Sequence, residues 1–268
     1  MTTTGLALTD DGIRLGYTME GEGPTLLLIP GLGATRHIYA PIIPGLAQRH
    51  RTVVYDPRGT GESDVPRGPY SMERLAADCV AVAQAAGSQR FHLFGASMGG
   101  MTAEYVAVLH GECIDRLVLA ATGPGRYNAV PADPAATAAL LGMGTHTPED
   151  AYRRACTVLY SARFQGAQPG FIEAEVGYRA GHLLDPHGFS AQFRASRESD
   201  ISGRLTEISA PTLVMHGTDD ALVPVESARL LVRAIPTARH HFLAGAGHLF
   251  FHEDPQSSIE VISSFLRG

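Results

Sequence analysis

The chain has 268 residues, of which 44% are hydrophobic and 18% charged, and its formal net charge is −6. This balance is typical of a folded globular protein and excludes the low hydrophobicity and high charge of disordered chains. Lysines and arginines form no cluster, so we expect no nucleic-acid or membrane partner and favour a small, uncharged or weakly charged ligand. The start lacks a signal-peptide pattern and no apolar run approaches the roughly 20 residues that span a bilayer, so we expect a cytoplasmic protein.

Short apolar runs alternate with helical patterns along the chain. Residues 5–21, GLALTDDGIRLGYTMEG, predict an antiparallel hairpin at the edge of a sheet. Residues 71–87 begin at a serine N-cap and end at a glycine, and Asp254 with Pro255 predicts the start of a C-terminal helix. The alternation predicts a doubly wound α/β fold. Its buried parallel strands are the continuous runs rich in Val, Leu and Ile at residues 24–31, 52–56, 91–96, 115–122 and 211–217.

One interval interrupts this alternation. From residue 123 to residue 205 the chain has helical patches, frequent Pro and Gly, and no convincing strand. Because the strand pattern resumes at residue 211, we interpret residues 123–205 as a helical cap. The cap is inserted into one core domain that is formed by residues 1–122 and 206–268.

The cysteines give no sign of a metal or a disulfide. Cys79, Cys113 and Cys156 are widely spaced, lie in apolar surroundings and form no Cys-x-x-Cys pair. Such cysteines are usually buried free thiols. We therefore expect no metal and no cofactor.

Ser97 is the candidate nucleophile. It lies in FHLFGASMGG, a Gly-x-Ser-x-Gly pattern that arises by chance about 0.2 times in a chain of this composition. Here the pattern follows a buried strand and precedes a helix, and a sharp turn between strand and helix exposes a serine hydroxyl. Gly95 and Gly99 suit that turn because a side chain at either position would collide with it.

A serine hydroxyl needs a base within hydrogen-bond reach, and that base needs a carboxylate to orient it. Among the 12 histidines we choose His248, because it stands in a loop of small residues after an apolar run, where it can reach the C-terminal edge of the sheet. The other histidines lie in strands, helices or the cap, and we expect them at the surface or packed. Asp219 and Asp220 both follow a buried strand and both are candidates for the carboxylate.

The order serine, aspartate, histidine is that of the α/β-hydrolases, which the chain resembles over nearly its whole length. LLLIPGLGA at 26–34 resembles their oxyanion loop, and YDPRGTGESD at 55–64 resembles the signature after their fourth strand. GAGHLFFHEDP at 245–255 resembles their histidine loop. Residues 55–101 look particularly like bacterial 3-oxoadipate enol-lactonases and small carboxylesterases.

The resemblance implies a mostly parallel eight-stranded sheet with helices on both faces and a helical cap. It also implies which carboxylate completes the triad: family members place the acid three residues after a glycine, as Asp220 follows Gly217. By family position, the backbone N–H groups of Leu32 and Met98 would form the oxyanion hole. Within the signature, Asp56, Arg58 and Ser63 are expected to hold loops together and not to act on substrate.

The expected reaction is hydrolysis of a small-molecule carboxylic ester or lactone through an acyl-enzyme, by a monomer or homodimer. Three alternatives stay open. They are hydrolysis of a carbon–carbon bond, cofactor-free haloperoxidase or perhydrolase chemistry, and a receptor that binds a ligand without turnover. Candidate pocket residues are Tyr127, Met143, Tyr160, Phe164, Phe189 and Leu249, together with Phe171 and Phe193, and we expect half or more of the aromatic ones to pack the cap against the core.

Overall fold

The computed structural model describes residues 2–125, 130–182 and 184–267. These residues form one sheet in the strand order β1-β2-β4-β3-β5-β6-β7-β8. The first two strands pair antiparallel, β2 also pairs antiparallel with β4, and all later neighbours are parallel. The strands are β1 Thr3–Leu8, β2 Arg14–Glu20, β3 Thr25–Ile29, β4 Arg51–Tyr55, β5 Phe91–Ala96, β6 Ile114–Ala120, β7 Thr212–Gly217 and β8 Ala238–Leu243.

Helices cover both faces of this sheet. Side chains alternate between faces along a strand. In β3, Leu27 and Ile29 accordingly join one hydrophobic cluster, and Leu26 and Leu28 join the other. The predicted fold class is therefore confirmed. The helices are α1 Ile43–Leu46, α2 Met72–Ala85, α3 Met98–Leu109, α4 Pro134–Leu140, α5 Pro148–Leu159, α6 Ala162–Ala167, α7 Pro169–Gly181, α8 Pro186–Glu198, α9 Val225–Ala234, α10 Phe250–Glu253 and α11 Pro255–Arg267.

The predicted helix starts are confirmed at two N-caps. The Ser71 hydroxyl accepts a hydrogen bond from the Arg74 N–H at 3.2 Å at the start of α2. At the start of α11, the Asp254 carboxylate accepts one from the Ser257 N–H at 3.0 Å. Each cap pairs an N–H group of the first turn that has no partner inside the helix.

Helices α4 to α8 lie between β6 and β7 in the chain and cover the edge of the sheet at which the parallel strands end. None of the helices that the structure describes is long and apolar enough to cross a membrane. Cys79, Cys113 and Cys156 are free; Cys79 and Cys156 are buried as expected, whereas Cys113 is only partly buried.

The signature at 55–64 holds neighbouring loops together through hydrogen bonds, as the sequence predicted. The buried guanidinium of Arg58 donates to Asp78 at 2.6 and 2.7 Å and to Asp11 at 3.0 and 3.2 Å. The Ser63 hydroxyl donates to the Asp56 carbonyl oxygen. The bonds of Arg58 are charge-assisted and join the loop to α2 and to the β1–β2 turn, whereas the Ser63 bond lies within the loop.

Candidate active site

Ser97 stands in the sharp turn between β5 and α3. Its backbone has φ 56° and ψ −121°, a conformation that L residues rarely adopt, and such strain persists only where the surroundings enforce it. A Cβ at Gly95 would lie 2.2 Å from the Gly99 carbonyl oxygen, and a Cβ at Gly99 would lie 2.0 Å from the Ile29 carbonyl oxygen. The two flanking glycines are therefore required by the close approach of β3, β5 and α3.

His248 and Asp220 form a buried pair at the ends of β8 and β7. The His248 Nδ1 lies 2.8 Å from the Asp220 Oδ2, and both side chains are almost fully buried. The other carboxylate oxygen, Oδ1, accepts hydrogen bonds from the N–H groups of Leu222 at 2.9 Å and Val223 at 2.8 Å. A carboxylate oxygen can only accept, so the His248 Nδ1 carries a proton and its Nε2 is free to act as a base. Asp219, the alternative candidate, is exposed.

A second imidazole also faces the Asp220 carboxylate. The His216 Nε2 lies 3.1 Å from Oδ2 and 2.8 Å from the Val223 carbonyl oxygen. Burial acts to raise the pKa of Asp220, but the charge of His248 and the hydrogen bonds from both imidazoles outweigh it, and the pKa falls well below its usual value. Asp220 is therefore ionised at neutral pH. The sequence analysis placed His216 among the packed or surface histidines and did not predict its contact with Asp220.

The predicted oxyanion donors are the backbone N–H groups of Leu32 and Met98, and Leu32 borders the same cavity as Ser97. Met98 is the first residue of α3, where N–H groups have no partner inside the helix. Leu32 lies in the turn after β3; a Cβ added at its neighbour Gly31 would be 3.7 Å from the Ser97 Oγ, so this turn passes directly over the hydroxyl. Within residues 2–125, 130–182 and 184–267, neither the Leu32 nor the Met98 N–H donates a hydrogen bond to backbone. The pair is thus free to bind an anionic oxygen.

A cavity of about 430 Å³ connects these groups with the cap. Ser97, His248 and Leu32 border it on the side of the sheet, and side chains of α4, α5, α7 and α8 border it on the opposite side. Most of the lining is apolar. In the part of the chain that the structure describes, no three His, Cys, Asp or Glu side chains are grouped to hold a metal ion.

Comparison with known proteins agrees with this geometry. A family model described as the alpha/beta hydrolase fold matches residues 24–255. The chain belongs to the α/β-hydrolase family. A relative in Caulobacter segnis, named as a carbamate hydrolase, RutD, is 31% identical, and the matched region spans 99% of each chain.

Solved structures of other α/β-hydrolases superpose closely on this one. A hydrolase from Pseudomonas aeruginosa PA01 has a TM-score of 0.86 at 28% identity and covers 99% of both chains. The enol-lactonase from Burkholderia xenovorans LB400 has a TM-score of 0.85 at 26% identity, over 98% of this chain and 100% of its own. These comparisons establish hydrolysis as the general activity, while the named substrates differ between the relatives.

The cavity of this α/β-hydrolase contains some of the predicted pocket residues and not others. Phe189 and Leu249 line it. Tyr127 lies outside the described residues. Met143 does not line it because it follows the end of α4 in a turn and is 58% exposed to solvent.

The structure does not place Tyr160 and Phe164 at the cavity, where they were predicted, and it agrees with the expectation that aromatic residues pack the cap against the core. Tyr160 is 2% exposed, and its ring packs on those of Phe164 and Phe171, with centroids 5.5 and 6.0 Å apart. These rings, and Phe193, do not border the cavity. Tyr160 and Phe171 attach the cap to the core, since both contact the His252 ring on α10.

Sequence analysis missed the polar part of the cavity lining. The His37 Nε2 lies 3.3 Å from the Glu175 Oε1, and its ring stacks on Tyr178 at 3.6 Å. The Arg179 guanidinium lies over the Tyr152 ring at 5.4 Å. The helical spacing of Glu175, Tyr178 and Arg179 places them on one face of α7 and could have indicated a shared surface.

His252 connects cap and core as a neutral base. Its Nε2 lies 2.6 Å from the Ile38 carbonyl oxygen, so Nε2 carries the proton, and its Nδ1 accepts the Tyr160 hydroxyl at 3.0 Å. Burial lowers the pKa of His252 from 6.5 to about 4, against the opposing effect of the bond to Ile38.

This pKa predicts a loss of stability in acid. Between pH 6.5 and about pH 4, His252 is protonated in the unfolded chain but neutral in the folded protein, so the free energy of unfolding falls as the pH falls. The resulting loss in the free energy of unfolding approaches about 3 kcal/mol below pH 4. Urea unfolding from pH 7 to pH 4 measures it in the wild type and in His252→Gln, whose pH slope we expect to be smaller.

Exposed His146→Gln is the matched control for that comparison. Burial also lowers the pKa of His50 and His92, so wild type and both variants share a background pH dependence. Equal pH slopes in the wild type and in His252→Gln would contradict the prediction.

Proposed function

We propose that this α/β-hydrolase cleaves a carboxylic ester or lactone of a small molecule through an acyl-enzyme on Ser97. The observation that carries the proposal is the strained turn that presents Ser97 to the same cavity as His248, whose ring is oriented by the 2.8 Å contact with Asp220. An apolar cavity of about 430 Å³ suits the acyl part of a small molecule.

The proposed reaction follows from these positions. The Ser97 Oγ attacks the acyl carbon while the His248 Nε2 takes its proton, and the Asp220 carboxylate stabilises the resulting imidazolium. The oxygen of the tetrahedral intermediate accepts hydrogen bonds from the N–H groups of Leu32 and Met98. Each such donor typically stabilises the transition state by about 3 kcal/mol. His248 then protonates the leaving alkoxide, and water hydrolyses the acyl-enzyme by the same steps.

A carbamate is the second candidate substrate. It is supported by the 31% identity with the relative named as a carbamate hydrolase, which extends over 99% of each chain. Its carbonyl carbon is attacked in the same way, with the carbamoyl group transferred to Ser97 in place of an acyl group.

A substrate panel tests both candidates. p-Nitrophenyl esters of increasing chain length, aliphatic lactones and a p-nitrophenyl carbamate are each assayed with wild type and with Ser97→Ala as the blank. We expect Ser97-dependent turnover that is fastest for an ester or a lactone. Faster Ser97-dependent turnover of the carbamate would favour the second candidate.

Two further assays, with a β-diketone and with dimedone, test the other reactions that remain open. Preferred cleavage of the β-diketone, or halogenation of dimedone by peroxide and bromide, would overturn the proposal. Tight binding of an ester whose turnover is no faster than its release would indicate a receptor.

A further inference from the structure

Gln192 connects the cap to the turn that carries Leu32. It lies on α8 and has no exposed surface. Its Oε1 accepts the Gly33 N–H at 2.9 Å, and its Nε2 donates to the Arg58 carbonyl oxygen at 2.8 Å. The two partners fix the orientation of the amide, because an N–H must face the oxygen and a carbonyl must face the NH₂ group. Both ends of this buried side chain are thus bound to backbone of the core.

The turn at residues 31–34 carries the Leu32 N–H, and its central peptide has hydrogen-bond partners in the cap. The Ala34 N–H donates to the Gly31 carbonyl oxygen at 3.1 Å, and Gly33 has φ +61°, the pattern of a type II turn with glycine at its third position. Types I and II differ in the orientation of the central peptide, here the peptide between Leu32 and Gly33. Gln192 binds the N–H of that central peptide, and Arg179 on α7 donates to the Gly33 carbonyl oxygen at 2.7 Å.

We propose that Gln192 is a positioning residue for catalysis, which holds the central peptide of this turn so that the Leu32 N–H points at the developing oxyanion. The role rests on the proposed function, in which Leu32 is an oxyanion donor. Gln192 sets the ψ angle of Leu32 and the φ angle of Gly33, the two dihedrals that follow the donor. Oxyanion stabilisation depends on donors that are oriented before the reaction, so a loosened turn slows the chemical step more than it weakens substrate binding.

Two substitutions and one control separate this role from cap attachment alone. Gln192→Met removes both hydrogen bonds but keeps the length and helix preference of the side chain. Gln192→Glu keeps an acceptor for the Gly33 N–H. The control is Gln165→Met, because the Gln165 amide makes a similar hydrogen bond within the cap, to the Tyr160 carbonyl oxygen at 2.8 Å, and does not contact the turn that carries Leu32.

The assay uses p-nitrophenyl butyrate, with propylboronic acid as the tetrahedral analogue and butyrate as the product. For Gln192→Met we expect kcat to fall roughly 10- to 100-fold with KM within about threefold of wild type. Inhibition by propylboronic acid should weaken by a similar factor, while inhibition by butyrate stays unchanged. Gln192→Glu keeps the acceptor for the Gly33 N–H but loses the donor to the Arg58 carbonyl oxygen, so its kcat should lie between those of wild type and Gln192→Met. Gln165→Met should stay within about threefold of wild type in kcat.

Melting temperatures are measured for every variant, and assays are run well below them. Wild-type kcat in Gln192→Met, with only a lower melting temperature, would overturn the inference and leave Gln192 as a cap anchor. Equal weakening of inhibition by propylboronic acid and by butyrate would overturn it too, because that pattern indicates a collapsed pocket. No Ser97-dependent turnover in the wild type would instead overturn the proposed function, and this role with it.

Discussion

Ser97→Ala is expected to lower kcat on the best ester or lactone by on the order of 10⁶-fold. The substitution removes the atom that forms the acyl-enzyme and leaves the cavity, the His248–Asp220 pair and the backbone donors in place. The measurement is the steady-state rate, together with mass spectrometry of protein treated with an organophosphate. Wild type should gain one adduct on Ser97 and the variant none. A variant that keeps even a tenth of the wild-type rate would show that Ser97 is not the nucleophile.

Ser97→Gly provides a second check of the same site. The backbone of Ser97 at φ 56° and ψ −121° is one that glycine adopts readily and alanine does not. A non-glycine residue in such a region costs about 1 to 3 kcal/mol, partly offset by the greater freedom of glycine in the unfolded chain. We expect both variants to be inactive, with Ser97→Gly more stable than Ser97→Ala by about 1 kcal/mol in urea unfolding. The reverse order of stability would contradict the conclusion that the backbone of residue 97 is strained.

The buried strands were predictable because burial on both faces requires an unbroken apolar run. β3, β5 and β7 are buried along their whole length, and each lies within a predicted run. The sequence pattern did not predict β8, because this edge strand of sequence ARHHFL is half exposed and carries basic and imidazole side chains. Pattern reading therefore detects the centre of a parallel sheet better than its edge.

The site divides along similar lines. Ser97 and Asp220 closely follow the predicted strands β5 and β7, and His248 follows an apolar run. Parallel strands bring their ends to one edge, so the sequence could predict that these residues lie at the same edge of the sheet. The cap offers no such rule. Tyr160 and Tyr152 are both tyrosines in its apolar stretches, yet Tyr160 packs behind the cavity and Tyr152 lines it. Their difference depends on how helices pack, which no local pattern of residues encodes.

Asp220→Asn is expected to lower kcat by on the order of 10⁴-fold, because it forces His248 into the wrong tautomer. The Oδ1 position faces two backbone N–H groups, those of Leu222 and Val223, so only an oxygen fits there. The amide NH₂ of asparagine must then face the His248 Nδ1, which becomes an acceptor. The ring proton moves to Nε2, and the imidazole can no longer take the Ser97 proton.

The neighbouring residue is the matched control. Asp219 is exposed, and its carboxylate accepts the Thr218 hydroxyl at 3.1 Å. Asp219→Asn makes the same chemical change one residue away, so we expect its kcat to stay within about twofold of wild type. If Asp219→Asn were the more damaging substitution, the carboxylate assignment would be wrong. Equal small losses in both variants would mean that His248 keeps its tautomer without Asp220, contrary to the four contacts that surround this carboxylate.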